Sequence, residues 1–195
     1  MDSRSVVRIL LVEDYPGWQR LVVTILQEQP NLQIIAVASD GLEAVQKAKE
    51  LQPDLVLLDI GLPKLNGIEV AKQVSKVAAP GAVLLIVSSE SSVDVVREAL
   101  RVGALGYVHK SSTRTELLPA IKTVLEGRHF VSSEAACSSN KGADDRAPCR
   151  HEVQFYSDDR FIVRAVLQDH RFVSHSLTGC RDSSSPTDWS YFAEK

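Results

Sequence analysis

The chain has 195 residues, a formal net charge of -3 and 44% hydrophobic residues, which suits a globular core and gives no basic field for nucleic acid. Lys and Arg form no local basic cluster either, so composition does not favour DNA as a direct partner. The apolar stretch Val6 to Val12 is interrupted by Arg8, followed by acids and without a small-residue cleavage site, so it does not read as a secretory signal. No segment approaches the roughly 20 apolar residues of a membrane span, and a cytoplasmic protein with no membrane contact is expected.

From Val6 to about Ser132 short apolar runs alternate with amphipathic stretches, the pattern of a parallel sheet with crossover helices. Val7 to Val12 is the first strand. Trp18, Leu21, Val22, Ile25 and Leu26 then recur at helical spacing behind Pro16, whose missing N–H costs little in a first turn. Trp18 reads as packing. Gln33 to Ala38 is the second strand, and Asp40-Gly-Leu-Glu43 resembles a capping box for a helix that buries Ala44, Val45, Ala48 and Leu51.

Leu55 to Leu58 and Val83 to Val87 are apolar nearly throughout, as strands covered on both faces must be, and they predict the centre of the sheet. Between them Asn66 precedes a helix with Ile68, Ala71 and Val74 inward. A fourth helix is predicted over Val93 to Arg101, a fifth strand over Leu105 to Val108, and a fifth helix capped by Thr113 or Thr115 and ended by Gly127. Pro119 inside that last helix predicts either a late start or a kink.

Residues 133–150 are small, polar and without period, and read as a linker. Beyond it, His151 to Ser157 alternates like a strand and Arg160 to Gln168 reads as a short helix. About 45 residues are marginal for a separate core, so 151–195 is expected to be an incomplete or partly ordered segment or an oligomer contact. Cys137, Cys149 and Cys180 all lie in this later part, odd in number and without zinc-site spacing, and read as unpaired thiols.

In an open parallel sheet functional groups collect at the carboxyl ends of the strands, near the point where strand order reverses. With the order 2-1-3-4-5, Glu13 and Asp14, Asp59, Ser88 and Ser89, and His109 and Lys110 converge on one edge. Each alone has an ordinary explanation as a cap, a turn residue or a solvated charge. Together they make a coherent set. Crowded carboxylates need a hard divalent cation with oxygen ligands, and magnesium is the natural choice. A carboxylate is also a nucleophile toward phosphorus, with Lys110 and the Ser88 hydroxyl available to the phosphoryl oxygens.

The motifs Leu10-Leu-Val-Glu-Asp14, Val56-Leu-Leu-Asp-Ile-Gly-Leu-Pro-Lys-Leu-Asn-Gly67, Ile86-Val-Ser-Ser89 and Gly103-Ala-Leu-Gly-Tyr-Val-His-Lys110, in this order, strongly resemble the CheY-like receiver domain of bacterial two-component response regulators, over Val6 to Ser132. The resemblance implies a doubly wound (βα)5 α/β fold of flavodoxin-like type, a three-layer sandwich, here with a short C-terminal extension. It implies that Asp59 accepts a phosphoryl group from a sensor histidine kinase or phosphotransfer protein, that Glu13 and Asp14 hold Mg2+ with Asp59 and the Gly61 carbonyl, and that Ser88, Ser89, Tyr107 and Lys110 bind the phosphoryl group or switch.

Ser89 stands where the family often has alanine, and Gly61 and Glu90 fall at positions that tune dephosphorylation. The family switch has Tyr107 filling the space that Ser88 leaves. The output partner is unknown, and the resemblance allows a homodimer through the face of helix four, strand five and helix five. The tail lacks the paired amphipathic helices of a DNA-binding domain, so a signalling switch without turnover is expected. The alternative is a transcriptional regulator whose output domain is missing or supplied by a partner. A phosphatase is disfavoured by Gly61, which stands where such sites carry a second acid, and a flavin protein by the acidic Glu13-Asp-Tyr-Pro-Gly17. Cys149-Arg-His-Glu-Val-Gln-Phe-Tyr-Ser-Asp-Asp159 faintly resembles the opening of MEDS-type sensory domains.

Overall fold

The computed structural model describes residues 6–137 and the backbone of residues 150–156, 160–166 and 172–175. The chain divides into two units, residues 1–139 and 140–195. In the first, the elements run β1 (Val7–Val12), α1 (Pro16–Gln27), β2 (Leu32–Ala38), α2 (Gly41–Leu51), β3 (Leu55–Leu58), α3 (Gly67–Val77), β4 (Val83–Ser88), α4 (Val93–Arg101), β5 (Gly106–His109), a 3-10 turn (Lys110–Ser112), α5 (Thr113–Leu125), β6 (Phe130–Val131) and α6 (Ser133–Cys137). All strands of this unit are parallel, in the order β2-β1-β3-β4-β5-β6.

The expected order 2-1-3-4-5 is therefore present, with β6 added beside β5. Two residues carry too little periodicity to announce a strand, and pairing with Gly106 and Tyr107 makes one of Phe130 and Val131. Alternation along the strands divides the core between two faces. Ile9, Leu11, Leu55, Leu57, Leu85, Val87 and Val108 pack with Val22 and Leu26 of α1 and with Leu117, Ile121 and Val124 of α5. The alternate residues Leu10, Val56, Leu58 and Ile86 are also buried. Their face is left to α2, α3 and α4, so β3 is covered twice, as its unbroken apolar run requires.

Local signals fix most helix starts. Asp40 Oδ1 accepts the N–H groups of Leu42 and Glu43 at 3.0 and 2.9 Å, while Glu43 reaches back to the Ser39 N–H at 2.7 Å. Asn66 Oδ1 accepts the Ile68 N–H at 2.8 Å, and Pro16 opens α1. The fifth helix departs from expectation. The 3-10 turn runs directly into it, so Thr113 is its first residue rather than its cap, and Thr115 lies within it, its hydroxyl donating to the Ser112 carbonyl. A late start after Pro119 is excluded, because the helix spans Thr113–Leu125 with Pro119 inside.

The segment read as a linker begins as a helix, α6, and residues 138–149 lie outside the described ones. In the second unit β7 (Arg150–Tyr156), β8 (Arg160–Val166) and β9 (Phe172–His175) form an antiparallel sheet in that order. The strand expected from His151 is β7. The helix expected over Arg160 to Gln168 is instead β8, paired with β7 from Tyr156 opposite Arg160 to Arg150 opposite Val166. A short apolar run rich in β-branched residues suits either period, and cross-strand pairing decided it. Cys149 and Cys180 lie outside the described residues.

Gly67 joins the fold to the site. A Cβ there would lie 2.4 Å from the Asp59 carbonyl oxygen and 2.4 Å from the Ile60 Cα, both backbone atoms that cannot step aside. Its φ is not in the left-handed region, so glycine is required for space alone. Gly67→Ala should lower stability by about 2 kcal/mol, as overpacking does, measured by thermal or denaturant unfolding.

His129, just before β6, is half-buried, and burial lowers its pKa below the ordinary 6.5, partly offset by a hydrogen bond to the Leu105 backbone. A depressed imidazole pKa means that the unfolded chain takes up the proton first. Its contribution to stability is thus present above pH 6.5 and lost as pH falls through the folded value. Unfolding followed between pH 7 and 5 should show a smaller loss in His129→Gln than in the wild type.

Candidate acidic and phosphoryl-binding site

Parallel register brings the strand ends together. Val12 pairs with Leu58, and the next residue of each strand enters the site, Glu13 with its N–H on the Ala38 carbonyl and Asp59 with its N–H on the Val12 carbonyl. Ser88 pairs with His109 at the ends of β4 and β5, and Lys110 follows at once. Carboxylate oxygens of Glu13, Asp14 and Asp59 lie within 4.8 Å of one another.

Lys110 is the hub. Its Nζ lies 2.7 Å from Asp59 Oδ2 and 2.7 Å from Glu13 Oε2. Burial alone would pull its pKa down, but the two carboxylates outweigh burial and raise it above the ordinary lysine value. Lys110 thus stays charged.

Glu13 is fully buried. Its Oε1 accepts the Tyr15 N–H at 3.1 Å, whereas Oε2 has the Lys110 charge nearby without a well-aligned hydrogen bond. Burial pushes the Glu13 carboxyl up from its ordinary pKa, and Lys110 draws it part of the way back. Asp59 is 7% exposed, with Oδ1 accepting the Gly61 N–H at 3.1 Å. Asp14 is exposed at the rim. Three carboxylates against one ammonium leave an excess of negative charge among hard oxygen donors, and such a set suits a divalent cation of the magnesium type.

The hydroxyl side of the site is more tightly wired than its residue types suggest. Ser88 is buried, and its Oγ accepts the Glu90 N–H at 3.2 Å. The Glu90 carbonyl in turn accepts the Tyr107 hydroxyl at 2.6 Å. Tyr107 is fully enclosed, and burial, against a Ser88 hydrogen bond, pushes its phenol up to about 12. The ring already occupies the interior and is tied through Glu90 to the loop that follows β4. Ser89 is exposed, and its carbonyl lies 3.0 Å from His109 Nε2.

All the strand-end residues singled out in the sequence are therefore brought to one edge. The partners of His109 and the place of Trp18 were not foreseen. His109 Nδ1 meets the Ser111 hydroxyl at 2.7 Å, and that hydroxyl donates to Glu134 of α6 at 2.5 Å, so His109 connects α6 to the loop after β4. Trp18, read as packing, has its ring centroid 4.8 Å from Lys110 Nζ. The position of His109 beside Lys110 was visible in the sequence, but its partners depend on the fold of residues 130–137.

Removing Lys110 would strand the buried Glu13 charge. Lys110→Ala should cost about 3 kcal/mol of unfolding free energy at neutral pH, the usual penalty for breaking a buried pair. Adding Glu13→Gln to that chain should restore much of the loss, measured by denaturant unfolding of both variants.

Known proteins resemble this chain in sequence and in fold. Residues 9–122 match the family described as the response regulator receiver domain. The chain is 34% identical over 141 residues to a putative transcriptional regulator of Pseudomonas aeruginosa, covering 72% of this chain and 67% of that protein. It is 32% identical over 130 residues to the transcriptional regulatory protein LiaR of Bacillus subtilis, covering 67% of this chain and 61% of LiaR. Its fold superposes on the crystal structure of a LuxR-family two-component response regulator from Aurantimonas sp. SI85-9A1 with a TM-score of 0.64 and 33% identity, over 68% of this chain and 94% of that one. The chain thus spans about three fifths to two thirds of the length of these curated relatives. No helix among the described residues is long and apolar enough to cross a membrane. The parallel sheet, the acids at its strand ends and the family match over residues 9–122 together make this chain a member of the response regulator receiver family of two-component systems.

Proposed function

We propose that Asp59 is the phosphoacceptor, that the acidic cluster holds Mg2+, and that the chain signals by changing protein contacts rather than by turnover. The observation that carries this reading is the Asp59 carboxylate, 7% exposed at the end of β3, with Oδ2 on Lys110 and Oδ1 on the Gly61 N–H. A carboxylate so held is oriented for attack on phosphorus.

In the transfer, an Asp59 oxygen forms a bond to phosphorus while the bond from phosphorus to the donor's histidine nitrogen breaks, its electron pair leaving on the imidazole. Lys110 remains protonated throughout and moves its charge from carboxylate to phosphoryl oxygen. Glu13, Asp14, Asp59 and the Gly61 carbonyl would hold the cation, which when bound neutralises charge on the transferring group. Ser88 and Ser89 line the hydroxyl side.

Propagation follows from Glu90. Its N–H is on Ser88 and its carbonyl on Tyr107, so drawing the Ser88 hydroxyl to a phosphoryl oxygen pulls on the same residue that anchors Tyr107. The change passes to the α4, β5 and α5 face, where a kinase-dependent output protein or a second copy would read it. The donor would be a sensor histidine kinase or phosphotransfer protein.

Incubation with Mg2+ and acetyl phosphate should add one acid-stable, hydroxylamine-labile phosphoryl group per chain. Asp59→Asn should abolish it and chelation of Mg2+ should prevent it, read by intact-mass spectrometry. Undiminished incorporation in Asp59→Asn would sink the assignment.

A further inference from the structure

Lys110 has a neutral neighbour besides its two acids. Its ammonium stands 4.8 Å from the centroid of the Trp18 ring, and Trp18 is itself packed against the core formed by α1, α5 and the sheet. The start of α1 is fastened to the site. Glu13 Oε1 accepts the Tyr15 N–H at 3.1 Å, the Tyr15 carbonyl accepts the Trp18 N–H at 3.0 Å, and Gln19 Nε2 donates to the Glu13 carbonyl at 2.6 Å. The backbone that carries the indole is thus tied to Glu13, while the ring itself packs against the core.

We propose that Trp18 is a positioning residue for the acidic site, its ring holding the Lys110 ammonium beside Asp59. A lysine has four rotatable bonds and loses rotamer freedom when its head group is fixed. An aromatic face attracts an ammonium through its quadrupole, most strongly for tryptophan. The decisive difference from the acids is chemical. Glu13 and Asp59 are also the oxygens that a divalent cation or an incoming phosphoryl group would engage, so their hold on Lys110 depends on what occupies the site. The indole face offers no oxygen. Its attraction persists whichever carboxylate Lys110 releases, and it keeps the charge where the phosphoryl oxygens arrive.

The inference rests on Asp59 being the acceptor only for its kinetic consequence. In that step the Asp59 oxygen bonds to phosphorus, the bond from phosphorus to the acyl oxygen of acetyl phosphate breaks, and acetate leaves with the electron pair. No proton changes hands, and Trp18 makes no bond.

Two measurements on the full chain test it. Without Mg2+, the ε-methylene protons of Lys110 should resonate upfield through the ring current of Trp18, and Trp18→Leu should return them to the ordinary lysine position. With Mg2+ and acetyl phosphate, Trp18→Leu should slow phosphoryl incorporation about five-fold, whereas Trp18→Phe, which keeps an aromatic face, should stay within about two-fold of the wild type. Lys110 protons at the ordinary position in the wild type would overturn the proposal. So would an unchanged rate in Trp18→Leu, or an equal loss in the leucine and phenylalanine variants, which would assign Trp18 to packing. Because the ring current needs no phosphoryl transfer, failure of the Asp59 assignment and failure of this inference are distinguishable.

Discussion

The ammonium of Lys110, shared at 2.7 Å by Glu13 and Asp59, is the interaction on which the site depends. Neither acid would be tolerable at its depth without an opposing charge, since an unpaired buried carboxylate either takes up a proton or unfolds its surroundings. The pair is possible because parallel pairing aligns the ends of β1 and β3, and because β4 and β5 deliver Lys110 from the next strands along the sheet. The sheet is thus a device for assembling one cation and three acids from three distant parts of the sequence.

The arrangement is stable yet not neutral. One ammonium faces three carboxylates, and Glu13 is left with one oxygen near a charge but without an aligned hydrogen bond. That imbalance is what makes the site receptive to a further cation. It also explains why Lys110 is easily shared among several anions, since no single partner holds it exclusively.

Around this centre the loop after β4 acts as a junction. Glu90 bonds to Ser88 on one side and Tyr107 on the other, while the neighbouring Ser89 carbonyl meets His109, which connects through Ser111 to Glu134. Ser133 of the same short helix donates its hydroxyl to Glu116 of α5 at 2.7 Å. A displacement of the loop is therefore felt both in the core, at Tyr107, and at α6.

The bounds of β1, β3 and α4, the capping by Asp40 and Asn66, and the strand-end placement of Glu13, Asp59, Ser88 and Lys110 were all legible in the sequence. Strand runs, cap residues and turns act over a few residues, and an acid that follows an apolar strand declares its position without help from the rest of the chain. Where the local signal was weak or ambiguous, tertiary pairing made the choice. Phe130 and Val131 became a strand because β5 offered an edge, Arg160–Val166 paired with β7 instead of coiling, and the turn at Lys110 absorbed the start of α5. The distances that give the site its chemistry belong wholly to this second class. The sequence by itself determined which charges this protein carries to the sheet edge; only the fold decided that Lys110 lies between two of them with Trp18 alongside, because charge and distance become interaction only when strands far apart in sequence are set side by side.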